Sequence, residues 1–445
     1  MKNVWTNWRF VIPLLLVIPA MEARAAELSF PPTLPNGKGI VTDRTEQFLK
    51  SISQLRPGVE IAKTPPTIDF MYYPEQTYLG QPWSVWGDSL AADGKYYSAI
   101  GDHGKPQGNA FVYEYDPATK RLRTVVDVNK LLGMAEGHYV PGKIHSRIDM
   151  GSDGCLYFAT HRGGTRITTD EYHYKGDWII RHNPKTSKTE IVKYAPVSKH
   201  CIPTSVLDPD RLIFYGGTAA GNREDPVQFF AYDIRKGKVL HTAEDGPYRY
   251  LIFAKSTGRV YYVSKDEGPL MRYDPSDGKP PTQIPGKIGM RSATQETADG
   301  FVYTVSTRGD GTLWRFNTKT EKIDRIGEAA VATQTYVTSL DVDPTGRYLY
   351  YICGAHGGSQ NDGTPIVQFD VKTRKKKILA FLHPFYIDQY GYTPLGTFGS
   401  AVSEDGSKLY VTWNGNRGGA DSRGRVGFDT CAMTVIHIPE SERQP

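Results

Sequence analysis

The 445-residue chain predicts an all-β fold: a seven-bladed β-propeller of four-stranded blades, its ring closed by an N-terminal strand in the last blade. Three observations carry that expectation. A short turn followed by a β-rich run recurs seven times, at Gly94, Gly154, Asp210, Gly258, Gly300, Gly346 and Gly406, spaced 42 to 60 residues apart. A second series of polar turns between strands, from "YEYDPATKRLRTV" at Tyr115 to "QFDVKTRKKKIL" at Phe369, alternates with the first six times. The chain holds 28 tyrosines and 45 glycines, and no helical apolar period runs beyond the N-terminus, as in a turn-rich β protein.

The elements follow in order. Residues 1–25 read as a secretory signal: Lys2 and Arg9, the apolar run "FVIPLLLVIPAM", then "ARAA", with cleavage near Ala25 or Ala26. The run is short for a membrane span and no second one follows, so the expected location is periplasmic or secreted, with no span after cleavage. Residues 26–65 form an extension packed outside the ring, with a short helix at "RTEQFLKSIS". Residues 66–440 form the propeller, and residues 441–445 a tail. Two hairpin turns per unit give four strands per blade. The last unit ends at "AMTVIHIPE" one strand short, and "PTIDFMYYP", Pro66 to Pro74, is the strand expected to complete it and remove exposed edges. A pair of β-sandwiches would share the short strands but not two turn motifs in strict alternation.

Composition narrows the partners. A net charge of +5, with no basic block longer than "RKKKI" near Lys377, gives no nucleic-acid footprint, and a monomer is expected. Cys155, Cys201, Cys353 and Cys431 could form two disulfides in an exported chain, or remain buried thiols; their spacing fits no zinc motif.

The stretch "GKIHSRIDMGSDGCLYFATHRGG" reads as a hairpin turning at Asp153, with His145 and His161 eight residues either side. In a propeller the open ends of these first hairpins gather around one mouth of the central channel. The same register holds Arg249 and Arg291 nine residues before their turn glycines, and His200 with Cys201 in the third unit. Beyond the turns come His103, Lys265, Arg308, His356, Asn414 and Arg417. Like charges brought together repel, and a fold tolerates that mainly where an anion binds. Any one of these groups could instead cap a carbonyl or pair with an acid. Tyr172, Tyr174, Tyr248, Tyr250, Tyr336, Tyr386 and Tyr390 offer aromatic faces and hydroxyls near the mouth, or packing between blades.

Such a mouth suits an acidic sugar. Elimination from a uronate needs a cation on the C5 carboxylate, a base for the C5 proton and an acid for the leaving O4. The proton-transfer candidates are His103, His145, His161 and Tyr250. The substrate-binding candidates are Arg147, Arg162, His200, Arg249, Arg291, Arg308, His356 and Arg417, arginine being favoured by its bidentate fit to carboxylate. Glycoside hydrolysis would need a carboxyl pair that this mouth is short of.

A signal, seven blades and a His/Arg/Tyr mouth resemble the propeller-fold polysaccharide lyases, the group of oligogalacturonate, ulvan and rhamnose–glucuronate lyases, over roughly Pro66 to Glu440. The resemblance implies an exported enzyme that cleaves an acidic polysaccharide or oligosaccharide by β-elimination, with histidine or tyrosine moving the proton. Several members hold a metal ion, so a divalent metal is an open expectation. His145, His161, His200 and His356 could supply ligands, although no short two-histidine spacing marks a site. Two alternatives stand beside this. One is a non-catalytic propeller binding an acidic glycan or a protein partner. The other is a glycoside hydrolase or lactonase with a central metal, for which Asn414, Asn416 and Asp421 are the evident ligands.

Overall fold

A computed structural model describes residues 28–77, 84–102, 108–164, 166–222 and 224–443. The expected signal segment and His103 lie outside the described residues. Seven mostly antiparallel sheets form the seven-bladed propeller. Blade one runs Leu90–Ala92, Lys95–Gly101, Ala110–Asp116, Arg121–Asp127 from the axis outward. The inner strands of blades three to six are His200–Asp208, Leu251–Ala254, Ser292–Ala293 and Leu340–Val342.

Blade seven joins the two ends of the chain. Its order is Thr393–Val402, Lys408–Asn416, Thr430–His437, Thr67–Tyr72, Val41–Asp43. Thr67–Tyr72 pairs antiparallel with Thr430–His437 from Thr67 opposite His437 to Tyr72 opposite Ala432. Ile68 and Phe70 enter the core from this strand, and the Phe70 ring meets Tyr386, Tyr390 and Tyr392 at 4.8 to 5.5 Å.

The first-hairpin turns are local chemistry. Gly154 sits at φ +72° and Gly406 at φ +68°, a region open to glycine and strained for residues with a Cβ. Apolar layers fill the wedges between blades. Tyr215, Phe229, Tyr262 and Tyr273 make one of them, with Phe229 and Tyr262 stacked at 5.1 Å.

Two expectations are refined and one is corrected. "RTEQFLKSIS" forms a single 3-10 turn, Glu46–Leu49, capped by Thr45 Oγ1 and anchored by one buried side chain, Phe48. One apolar anchor cannot hold a longer helix. The extension also adds outer strands, Val41–Asp43 on blade seven and Val59–Ile61 parallel to Lys376–Phe381 on blade six. Finally, His383–Tyr390 is an α-helix, with Pro384 in its first turn and Gly391 as its left-handed stop. It carries Tyr386 into the core and lets Tyr390 Oη donate to Asp43, so neither phenol serves the mouth. All four cysteines are buried, free thiols. Among the described residues no helix is long and apolar enough to cross a membrane.

Candidate active site

The hairpin at Asp153 builds the centre of the site. Its inner arm is two short strands, Lys143–Ile144 and Asp149–Met150, both paired with Leu156–His161. Between them Ser146 Oγ accepts from Ala159 N (2.8 Å) and donates to Ala159 O (3.0 Å), so a hydroxyl replaces the missing ladder bonds. That gap releases the backbone of His145. Close backbone approach needs glycine on the neighbouring blade: a Cβ at Gly87 would stand 2.4 Å from Ser146 O.

His145 and His161 meet with ring centroids 5.4 Å apart. His145 Nδ1 lies 2.8 Å from Pro203 O, and His161 Nδ1 lies 2.8 Å from Arg162 O. A carbonyl only accepts, so each Nδ1 carries the hydrogen and each neutral ring keeps Nε2 as its basic atom. The Pro203 carbonyl stands at a register break between Cys201 and Thr204, which turns it out of the blade-three ladder. Burial pushes His145 well below the usual imidazole value, helped by Lys143 and Arg291. His161 is pushed the same way by burial, then by Lys143, His145 and Arg162. Both rings are therefore neutral bases at neutral pH.

Across the channel Arg291, 5% exposed, donates through Nε to Tyr336 Oη at 2.5 Å. Its guanidinium lies 5.5 Å over the Phe398 ring. Burial draws its proton affinity down, but arginine remains a cation. His356 stacks on Tyr336 at 5.0 Å and stands edge-on to Phe398 at 5.1 Å. Burial lowers it first, then Arg291, Arg249 and Lys143, which places all three cations within its electrostatic reach. Phe398 also reaches His145 (6.5 Å) and Trp86 (4.8 Å), so one aromatic floor joins blades one, two, six and seven.

The structure thus brings together His145, His161, Arg249, Arg291 and His356 from the expected set. It turns the other described members elsewhere. Arg147 lies 3.2 Å from Asp149 and 5.8 Å over the Tyr250 ring, and Tyr250 Oη donates to Asp88 Oδ2 at 2.6 Å. Arg147 and Tyr250 line a cavity of about 310 Å³ toward the opposite opening, so Tyr250 is committed to a carboxyl. Arg162 caps Ala220 O (2.9 Å) and touches Cys201 Sγ. Arg417 anchors the extension, donating to Ser29 O and Thr430 Oγ1 and covering Phe30 at 5.0 Å. His200 is buried with Nδ1 on Ser198 O. Arg308 lies exposed on its blade-five loop. Asn414 holds both backbone polar atoms of Val85, Asn416 holds Gly427 O and Asp429, and Asp421 pairs with Arg425. The three evident ligands of a central metal are therefore structural.

Two features escaped sequence reasoning. Lys143 stands directly across the ladder from His161, its ammonium 5.1 Å over the Trp86 ring. Its position two residues before His145 is the signal that could have found it. The second is a carboxyl pair deeper in the channel. Asp88 accepts from Ser339 Oγ, Ser339 meets Ser400, and Ser400 donates to Asp341 Oδ2 at 2.5 Å. Burial raises both carboxyls, and the charge of Asp88 raises Asp341 further. A divalent ion needs three or more converging donors. Among the described residues no group of three histidine, cysteine, aspartate or glutamate side chains assembles one.

No protein-family profile and no curated protein sequence matches the chain. Solved structures do. An oligogalacturonate lyase in complex with manganese aligns at 13% identity over 88% of this chain and 98% of that one, with a TM-score of 0.51. An oligogalacturonate lyase from Vibrio parahaemolyticus aligns at 12% identity over 91% and 98%, with a TM-score of 0.50. The WD40 repeats of RRP9 align at 10% identity over 81% and 97%, with a TM-score of 0.49. At such identities the likeness is one of fold: this chain shares the propeller architecture.

Proposed function

We propose that this chain is an exported carbohydrate-active enzyme that cleaves an acidic, uronate-containing glycan by β-elimination. The observation that carries the reading is the meeting of Arg291, Tyr336, His145 and His161 around one aromatic floor. With Nε spent on Tyr336, Arg291 presents its terminal nitrogens to the C5 carboxylate, and exposed Arg249 adds charge at the rim. A neutralised carboxylate makes the C5 proton acidic. A neutral nitrogen of the mouth takes that proton, His145 and His161 offering Nε2. The C5–H electron pair becomes the C4=C5 double bond as C4–O4 breaks. Tyr336 Oη accepts from Arg291 and so can give its own hydrogen to the leaving O4.

The test is incubation with a panel of uronate polysaccharides. Unsaturated uronide absorbing in the ultraviolet is the expected product; saturated ends alone would refute elimination. His145→Ala and His161→Ala should each abolish turnover with melting temperature nearly unchanged. The same reading has the chain act outside the cytoplasm as a monomer after cleavage near Ala25 or Ala26. The mass of the mature N-terminus and size-exclusion chromatography check both points.

One observation favours a second reading. Asp88 and Asp341 form a carboxyl pair at the other end of the channel, the equipment of a glycoside hydrolase. Saturated products whose formation is lost in Asp88→Asn, but kept in His161→Ala, would move hydrolysis ahead.

A further inference from the structure

His161 is the last residue of the strand Leu156–His161, so the peptide beyond it leaves the ladder of blade two. Arg162, Gly163 and Gly164 follow. The two glycines place no side-chain restraint on the chain, and the backbones crowd here: a Cβ at Gly142 would stand 2.6 Å from Gly163 Cα. Yet the Arg162 carbonyl has to keep one direction, because it is the acceptor 2.8 Å from His161 Nδ1. Something other than the ladder fixes it.

The Arg162 side chain supplies the anchor. Its Nη1 donates to Ala220 O at 2.9 Å and lies 2.8 Å from Cys201 Sγ and 3.4 Å from Ala219 O. All three belong to blade three, where His200–Asp208 pairs with Ile213–Ala220. The same blade holds the other ring, since His145 Nδ1 gives its hydrogen to Pro203 O at the register break between Cys201 and Thr204. Proline has no N–H to lose by leaving a ladder. One irregular stretch, Cys201 to Thr204, therefore sets both rings, directly at His145 and through Arg162 at His161.

We propose that Arg162 is a positioning residue: its guanidinium ties blade two to blade three and so holds its own carbonyl on the Nδ1 hydrogen of His161. The proposal rests on the elimination reading above. The hydrogen bond made by one ring nitrogen decides which nitrogen stays free. With Nδ1 committed to the carbonyl, Nε2 of His161 is the basic atom. Arg162 acts through that ring, so its loss falls on the catalytic step rather than on binding. A cation that only stapled two blades together would leave the His161 tautomer untouched when removed.

Full-length mature protein with ¹⁵N-labelled histidine gives the readout that separates the two roles. In the wild type, the imidazole resonances that vanish in His161→Ala should report a hydrogen on Nδ1 and a bare Nε2. Arg162→Met keeps an unbranched side chain and loses every donor. Its His161 resonances should move toward the Nε2-hydrogen form, with kcat down at least about tenfold and KM within about twofold. Arg162→Lys keeps a donor for Ala220 O and should restore the wild-type signature and at least about a third of kcat. A wild-type ring with its hydrogen on Nε2 overturns the proposal. So does Arg162→Met with an unchanged His161 signature, or with raised KM at unchanged kcat, which would make Arg162 a substrate contact. Failure of Arg162→Met to fold, seen as loss of its β circular dichroism, would make the clamp a structural staple and overturn the role. A wild type that forms no unsaturated product from any uronate glycan overturns elimination, and this role in it, whatever the signatures show.

Discussion

Replacing Asp177 by asparagine should change how the stability of this propeller depends on pH. Asp177 is 0% exposed, and its carboxyl accepts from Thr160 Oγ1 at 2.5 Å and from Tyr139 Oη at 2.9 Å. Burial raises it from 3.8 to about 7, against the pull of those hydroxyls and of Arg162. The folded chain therefore keeps a proton between pH about 4 and 7 that the unfolded chain has released. A carboxyl raised in this way is stabilising, relative to its ionised form, at low pH, and that advantage drains away as pH rises. A shift of about three units at about 1.36 kcal/mol each amounts to about 4 kcal/mol across the window. Asp177→Asn is neutral at every pH and can still accept from Thr160. Urea unfolding, followed by tryptophan fluorescence between pH 4 and 8, should show the variant gaining about 4 kcal/mol on the wild type as pH rises. Parallel profiles for the two proteins would refute the reasoning, because they would mean that Asp177 ionises alike in folded and unfolded chains.

Further outcomes follow from the same structure. Phe70→Ala empties a fully buried aromatic site on the N-terminal strand of blade seven and should cost about 3–5 kcal/mol in urea unfolding. A loss below about 1 kcal/mol would show that this strand is not needed to close the ring. Arg291→Lys loses the Nε bond to Tyr336 and the forked fit to carboxylate, so KM should rise and kcat fall at least about tenfold. Asp341→Asn relieves a carboxyl raised by burial and by Asp88. The folded pair resists ionising, so the melting-temperature gain of the variant should be larger at pH 9 than at pH 5; an equal gain at both would count against the pair.

Much of the site was legible because its signals are local. The Asp-Gly and Thr-Gly turns need positive φ, and glycines at 94, 154, 258, 300, 346 and 406 adopt it, which sets where each first hairpin reverses. Counting outward from those turns placed His145, His161, Arg249 and Arg291 at one level. Arg147 shows where counting stops working. It is two residues beyond His145 on the same arm, about 7 Å further along a strand, and so it lies at the level of Asp88 and Tyr250. Arg162 and Arg417 had the right register, but their long side chains could turn to carbonyls of the adjoining blade and of the extension.

The sequence by itself determined the number of blades, the places where hairpins turn and the mouth at which histidine and arginine gather, because turn chemistry and alternation act over a few residues. Only the tertiary structure decided which cations face the channel. It joined Lys143 to Trp86 and set Asp88 beside Asp341, pairs drawn from separate blades. Those meetings depend on how closely the inner strands converge on the axis, as at Gly87 against Ser146, and no local pattern encodes that distance.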